Sequence, residues 1–143
     1  MKISPPINSG SRFFFRNSFC GVLAEAYIEG AKAAGADIKQ LYLGELKFDP
    51  ILWHGYKEIQ ELEEDLKMAQ EFILWAEHLV FVYPTWWGTI PALLKGFIDR
   101  TFLPGFAFLP GATLRNASAL RSPLGMDRVM VQAHHAADLV KYF

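Results

Sequence analysis

Residues 79–108, LVFVYPTWWGTIPALLKGFIDRTFLPGFAF, constrain the fold more than any other stretch of the chain. Leu79-Val80-Phe81-Val82-Tyr83 is continuously apolar and rich in β-branched and aromatic residues, the pattern of a strand buried on both faces. Pro84 ends it. Pro91 suits the first residue of a following helix, where its missing N–H costs nothing. Ala92, Leu93, Leu94, Lys95, Phe97, Ile98 and Phe102 continue that helix at helical spacing. The intervening loop, Thr85-Trp86-Trp87-Gly88-Thr89, is therefore expected at the carboxyl end of a buried strand, where open α/β sheets bind ligands. Two adjacent indoles on such a loop are costly to expose and well matched to a flat aromatic ligand. The plainer alternative is that Trp86 and Trp87 are core or interface aromatics.

Upstream, the pattern is helical from Ser18 to Ala34, with Ser18 as N-cap, Gly35 as the stop, and Val22, Leu23, Ala26, Tyr27 and Ala31 on one apolar face. Asp37 to Leu43 alternates as a second strand. A connecting stretch, Gly44 to Glu58, turns at Asp49-Pro50. An amphipathic helix is expected from about Glu61 to Trp75, on Leu62, Leu66, Ala69, Ile73 and Ala76, with an acidic start that suits the helix dipole. The first sixteen residues are harder to place. Met1-Lys2-Ile3 begins like a buried first strand, but Pro5-Pro6 removes two ladder donors, which a central strand tolerates badly. Asn8-Ser9-Gly10-Ser11 has turn or phosphate-loop composition, and Phe13-Phe14-Phe15 has no evident role. Beyond Phe108 the texture is loop-like to Gly125, with Val129-Met130-Val131 as a short strand before His134-His135.

The 143 residues suffice for one domain, and 52% hydrophobic content allows a sizeable core. A net charge of −1 gives no electrostatic reason to expect nucleic acid or an acidic membrane surface. The most apolar window, 72–94, is broken by Glu77, His78, Pro84 and Pro91, so no membrane span is expected. The single cysteine, Cys20, excludes an internal disulfide, fits a cytoplasmic protein, and reads as a small core thiol. No metal site is expected, because His134 and His135 have no Cys, Asp or Glu at ligand spacing; His54 and His78 read as structural.

The segment 79–108 resembles the flavodoxin-like NAD(P)H:quinone oxidoreductase family. Its members share a strand ending in Pro, an aromatic-rich loop, a Pro-Ala helix start, a Lys-Gly-Phe-Ile-Asp-Arg-like helix and a Gly-Phe-Ala-Phe-like exit. The likeness is dense from Leu79 to Phe108 and looser back to Asn17, while residues 1–16 and 109–143 depart from it. It implies one flavodoxin-like α/β domain over 1–143, an open parallel sheet with helices on both faces, truncated after the third strand and its helix. It also implies FMN or FAD as cofactor, NAD(P)H as co-substrate, a quinone-type acceptor, and a homodimer with active sites at the subunit interface. Carried over by position, the flavin phosphate would lie at Ser11, Arg12, Asn17, Ser18 and Phe19, with simple N-capping by Ser18 as the alternative. The isoalloxazine would lie at Pro84, Thr85, Trp86, Trp87 and Gly88, with Trp87 on the face where nicotinamide and quinone alternate. No catalytic acid or base is required for hydride passage. The family's third flavin loop has no counterpart in 109–143, so weak flavin binding is expected. Two further readings stand beside this one: a non-catalytic partner-binding module, and an inactive copy whose sharply bordered ends arose by frameshift.

Overall fold

The computed structural model describes residues 2–8 and 18–107. The elements run β1 (Lys2–Asn8), α1 (Phe19–Ala33), β2 (Asp37–Ile38), β3 (Leu41–Tyr42), a short 3₁₀ turn (Leu43–Glu45), α2 (Glu64–Trp75), β4 (His78–Val82) and α3 (Ala92–Thr101). The ladders between the described strands are parallel. Along one side of β1, Lys2 and Ile3 pair with Asp37 and Ile38, and Ile7 and Asn8 pair with Leu41 and Tyr42. Along the other, Ile3, Ser4, Ile7 and Asn8 pair with His78, Leu79, Phe81 and Val82. β1 is therefore central, and β2 and β3 are two halves of one interrupted strand position.

The register explains how a central strand carries Pro5-Pro6. From Ile3 to Ile7 is four steps along β1, whereas Ile38 to Leu41 and His78 to Phe81 are three each. One extra residue is absorbed against both neighbours, at the point where the β1–β4 register shifts. A bulge is where a sheet tolerates residues that cannot donate. The sequence-based objection to a central first strand is corrected accordingly.

β4 sets the layers. Its side chains alternate between two cores, as expected for a parallel strand covered on both faces. Leu79 and Phe81, with Tyr83 just beyond, pack with Leu66, Ala69 and Ile73 of α2 and Leu94 and Phe97 of α3. Val80 and Val82 pack with Cys20 and Ala24 of α1. Cys20 is thus a buried thiol of the core. α1 lies on the sheet through Cys20, Gly21, Ala24 and Ile28, and leaves Val22, Leu23 and Ala26 exposed. The face read from sequence was rotated because Tyr27 and Ala31 border both stripes; the smaller residues win, allowing closer approach to the strands. α1 ends at a Schellman cap: Gly35 takes φ +78°, Ala36 N–H donates to Ala31 O at 3.0 Å and Gly35 N–H to Lys32 O at 2.9 Å. Pro91 is the N-cap of α3 rather than its first helical residue.

Between the 3₁₀ turn and α2 the chain has no regular structure, yet it is firmly fastened. Arg100 of α3 is fully buried beneath it. Its Nη2 donates to Glu63 Oε2 and to Glu61 O, both at 2.9 Å, and its Nη1 donates to Asp49 O at 2.6 Å and Glu63 Oε1 at 3.3 Å. Glu63 also accepts from Asp49 N–H at 3.0 Å. Burial pushes the Glu63 carboxyl up, but the Asp49 N–H and the guanidinium outweigh it and hold the group below its ordinary range. Among the described residues, no helix is long and apolar enough to cross a membrane.

Candidate functional site

The helices and strands bring the loop after β4 and the amino terminus of α1 to one edge of the sheet. β1 and β4 finish together, since Asn8 pairs with Val82. α1 leads directly into β2, whose Asp37 pairs with Lys2 at the start of β1. The carboxyl terminus of α1 is therefore at the amino edge of the sheet. Its amino terminus, fifteen residues away, lies at the carboxyl edge. The loop after β4 leaves from that same edge and from the strand adjacent to β1. This is the ligand-binding edge of an open α/β sheet.

The loop after β4 has a defined geometry. Trp86 and Thr89 exchange both backbone hydrogen bonds, each at 3.0 Å. The two residues between them both have positive φ, Trp87 at 52° and Gly88 at 76°. That is the signature of a type I′ turn, which normally takes Asn-Gly or Gly-Gly. Space does not require the glycine, since a Cβ on Gly88 would meet nothing within 4 Å; its φ does. Trp87 is the only described non-glycine residue with positive φ. Left-handed backbone costs an ordinary residue roughly 1–2 kcal/mol. The turn holds the Trp87 side chain 82% exposed, beside Trp86 at 41%. Tyr83, at the end of β4, is buried in the core against α2 and α3, and burial pushes its phenol pKa up, so the hydroxyl stays neutral at physiological pH.

At the start of α1, Ser18 is the N-cap, and its hydroxyl accepts from Gly21 N–H at 3.1 Å. The first turn of α1 carries no acidic residue, and Phe19 is exposed beside the cap. Of the ten residues singled out from sequence, Ser18, Phe19, Pro84, Thr85, Trp86, Trp87 and Gly88 fall at this edge. Ser11, Arg12 and Asn17 lie outside the described residues, as do Phe13 to Phe15, the tail beyond Ala107, and His134 and His135. Sequence reading passed over Thr89, which closes the turn; the Trp-Gly dipeptide between a strand and a helix was the available signal. His78 begins β4 and sits at the opposite edge, while His54 faces Glu58 at 3.7 Å. No cluster of metal-ligating side chains occurs among the described residues.

The arrangement suits a flat ring against the indoles and an anion near a helix amino terminus. Comparison with known proteins points the same way. A family model described as a flavodoxin-like fold matches residues 10–123, reaching past the 17–108 stretch at both ends. An uncharacterized NAD(P)H oxidoreductase of Haemophilus influenzae is 35% identical over 96 residues, 64% of this chain and 46% of that protein. The chain spans less than half the length of the curated relatives it matches. An NAD(P)H:quinone oxidoreductase from Methanothermobacter marburgensis superposes with a TM-score of 0.70 at 23% identity, over 96% of this chain and 86% of that one. An FMN-dependent NADH-azoreductase from Bacillus anthracis, in complex with FMN, does so with a TM-score of 0.59 at 20% identity, over 94% and 69%. At these identities the structural likeness is one of fold.

Proposed function

Because the chain belongs to the family with the flavodoxin-like fold, we propose that it acts as a flavin-dependent NAD(P)H oxidoreductase of the quinone-reductase kind. The observation that carries the reading is the Trp86–Thr89 turn. It keeps an indole exposed on a costly backbone at the ligand-binding edge of the sheet.

The residues present fit a flavin in two respects. Trp86 and Trp87 offer aromatic faces to a planar ring, and the α1 amino terminus opposes no acidic side chain to a phosphate. In this reading Pro84, Thr85, Trp86, Trp87 and Gly88 hold the ring system. Ser18 and Phe19, with Ser11, Arg12 and Asn17, hold the phosphate. Either FMN or FAD satisfies both requirements. A bound flavin supplies the two-electron hydride chemistry, so the protein's task is binding, orientation and shielding. Trp87 lines the approach for a flat nicotinamide or quinone. The likeness to quinone reductases supports a quinone-type acceptor, and a homodimer belongs to the same reading as a further proposal.

The test is steady-state oxidation of NADH and NADPH by the purified chain, with a soluble quinone as acceptor and FMN or FAD added. Turnover that depends on both quinone and flavin is expected. Absence of quinone-dependent oxidation by folded protein at saturating flavin contradicts the proposal.

A further inference from the structure

Residues 46–63 run from the 3₁₀ turn to α2 and belong to no strand or helix. Four backbone amides at alternate positions hold this segment, and each donates to a side chain. Lys47 N–H donates to Asp65 Oδ2 at 2.6 Å, Asp49 N–H to Glu63 Oε1 at 3.0 Å, Ile51 N–H to Asp49 Oδ1 at 2.9 Å and Trp53 N–H to Gln60 Oε1 at 3.1 Å. Three of the four acceptors are carboxylates. From α3, Arg100 donates to Asp49 O and Glu61 O and pairs with Glu63. The apolar contacts are partial. Leu46, Phe48 and Leu62 are only partly buried against the core, and Phe48 meets Phe97 edge-on with ring centroids 6.2 Å apart.

The four strands pair without this segment, so lifting it breaks no ladder of the sheet and no turn of α2 or α3. A unit joined to the core mainly by side-chain hooks can open below the free energy of global unfolding. Acid weakens these hooks. A protonated Glu63 no longer balances Arg100, and a buried guanidinium without its counter-ion is strongly destabilising. The neighbouring carboxylates are engaged elsewhere. Asp99 of α3 pairs with Lys95, Glu64 of α2 pairs with Lys67, and Asp65 accepts from Lys47 N–H. Glu61 meets Arg100 through its carbonyl, while His54, Lys57 and Glu58 are exposed on the segment's own tip. Burial raises the Glu63 carboxyl, but the Asp49 N–H and Arg100 more than offset it, and the Ile51 N–H and Trp53 indole hold Asp49 low. Both groups therefore take up protons more readily when the segment is open, so acid favours the open form.

We propose that residues 46–63 form an acid-released strap, which opens as one unit while the sheet, α2 and α3 stay folded. Release bares the Arg100 guanidinium and the side of Phe97 that Phe48 covers. The proposal does not depend on flavin binding.

The test is native-state hydrogen exchange on the ¹⁵N-labelled full chain at about pH 6.5 and about pH 3.5, with protection corrected for intrinsic exchange. The amides of Lys47, Asp49, Ile51 and Trp53 are compared with those of β4. The strap amides should lose protection together by about ten-fold at the lower pH, the size of one charge-assisted hydrogen bond, while β4 protection holds. Glu63→Gln should lower strap protection already at the higher pH and remove most of its pH dependence, with β4 protection reporting an intact fold. Strap and β4 amides losing protection in parallel would overturn the proposal, since the segment then opens only by global unfolding. Strap protection that ignores pH would overturn it too, as would a folded Glu63→Gln variant with the original pH dependence. If that variant does not fold, the comparison of strap with β4 in the unaltered chain decides alone.

Discussion

Trp87 holds a backbone conformation that asparagine or glycine holds more easily. Trp87→Asn is therefore expected to raise stability by about 0.5–1 kcal/mol, read as a higher thermal midpoint, while weakening flavin binding. A lower midpoint would mean that the indole packs well enough to outweigh its strain. Gly88→Ala should do the opposite, costing on the order of 1 kcal/mol, because its φ of 76° suits no side chain. Arg100 is decisive for a different reason. Its guanidinium satisfies Glu63 and two backbone carbonyls from one buried position, and a lysine ammonium cannot reproduce that fork. Arg100→Lys should lose roughly 2–4 kcal/mol in urea denaturation. A loss near zero would show that water replaces the guanidinium at no cost.

At the scale of elements, α3 and the segment before α2 are fitted to each other. Gly96 faces Pro50 so closely that a Cβ there would sit 2.5 Å from both its Cβ and its carbonyl oxygen. Gly96→Ala must displace backbone, and a loss of roughly 1–3 kcal/mol is expected. The same segment is fastened by carboxylates. The Ile51 N–H and the Trp53 indole hold the Asp49 carboxyl low, and Glu63 is likewise held below its ordinary 4.5. Both groups thus bind protons more readily in the unfolded chain. Their contribution is fully present above the ordinary carboxylate range and is lost as pH falls through the lower folded values. The thermal midpoint should be flat from pH 7 to about 5 and fall below that. Glu63→Gln should show a shallower fall. Identical profiles for the two proteins would show that Glu63 does not carry the effect.

For the whole molecule, the sequence was most legible where periodicity and burial coincide. β4 and α3 were readable because an apolar run and a helical stripe flank a proline-bounded loop, and the family resemblance carried by that segment implied the flavodoxin-like fold. α1 was readable as a helix but not in its rotation, because two stripes share Tyr27 and Ala31. The role of Pro5-Pro6 was illegible because a bulge is defined by the register of partner strands, which one strand does not encode. Arg100 gave no signal, since its partners lie 37 to 51 residues away. The aromatic loop was visible as composition, but its I′ geometry, and hence the exposure of Trp87, depends on Thr89 closing the turn. The central claim is that this turn and the α1 amino terminus form a flavin site. Fluorescence titration of FMN and FAD with the purified chain and with Trp87→Ala tests it most directly. Weak but saturable binding is expected, reduced about five-fold in the variant, as the loss of roughly 1 kcal/mol of aromatic stacking implies. No saturable binding of either flavin, or identical affinity in the variant, would contradict the claim.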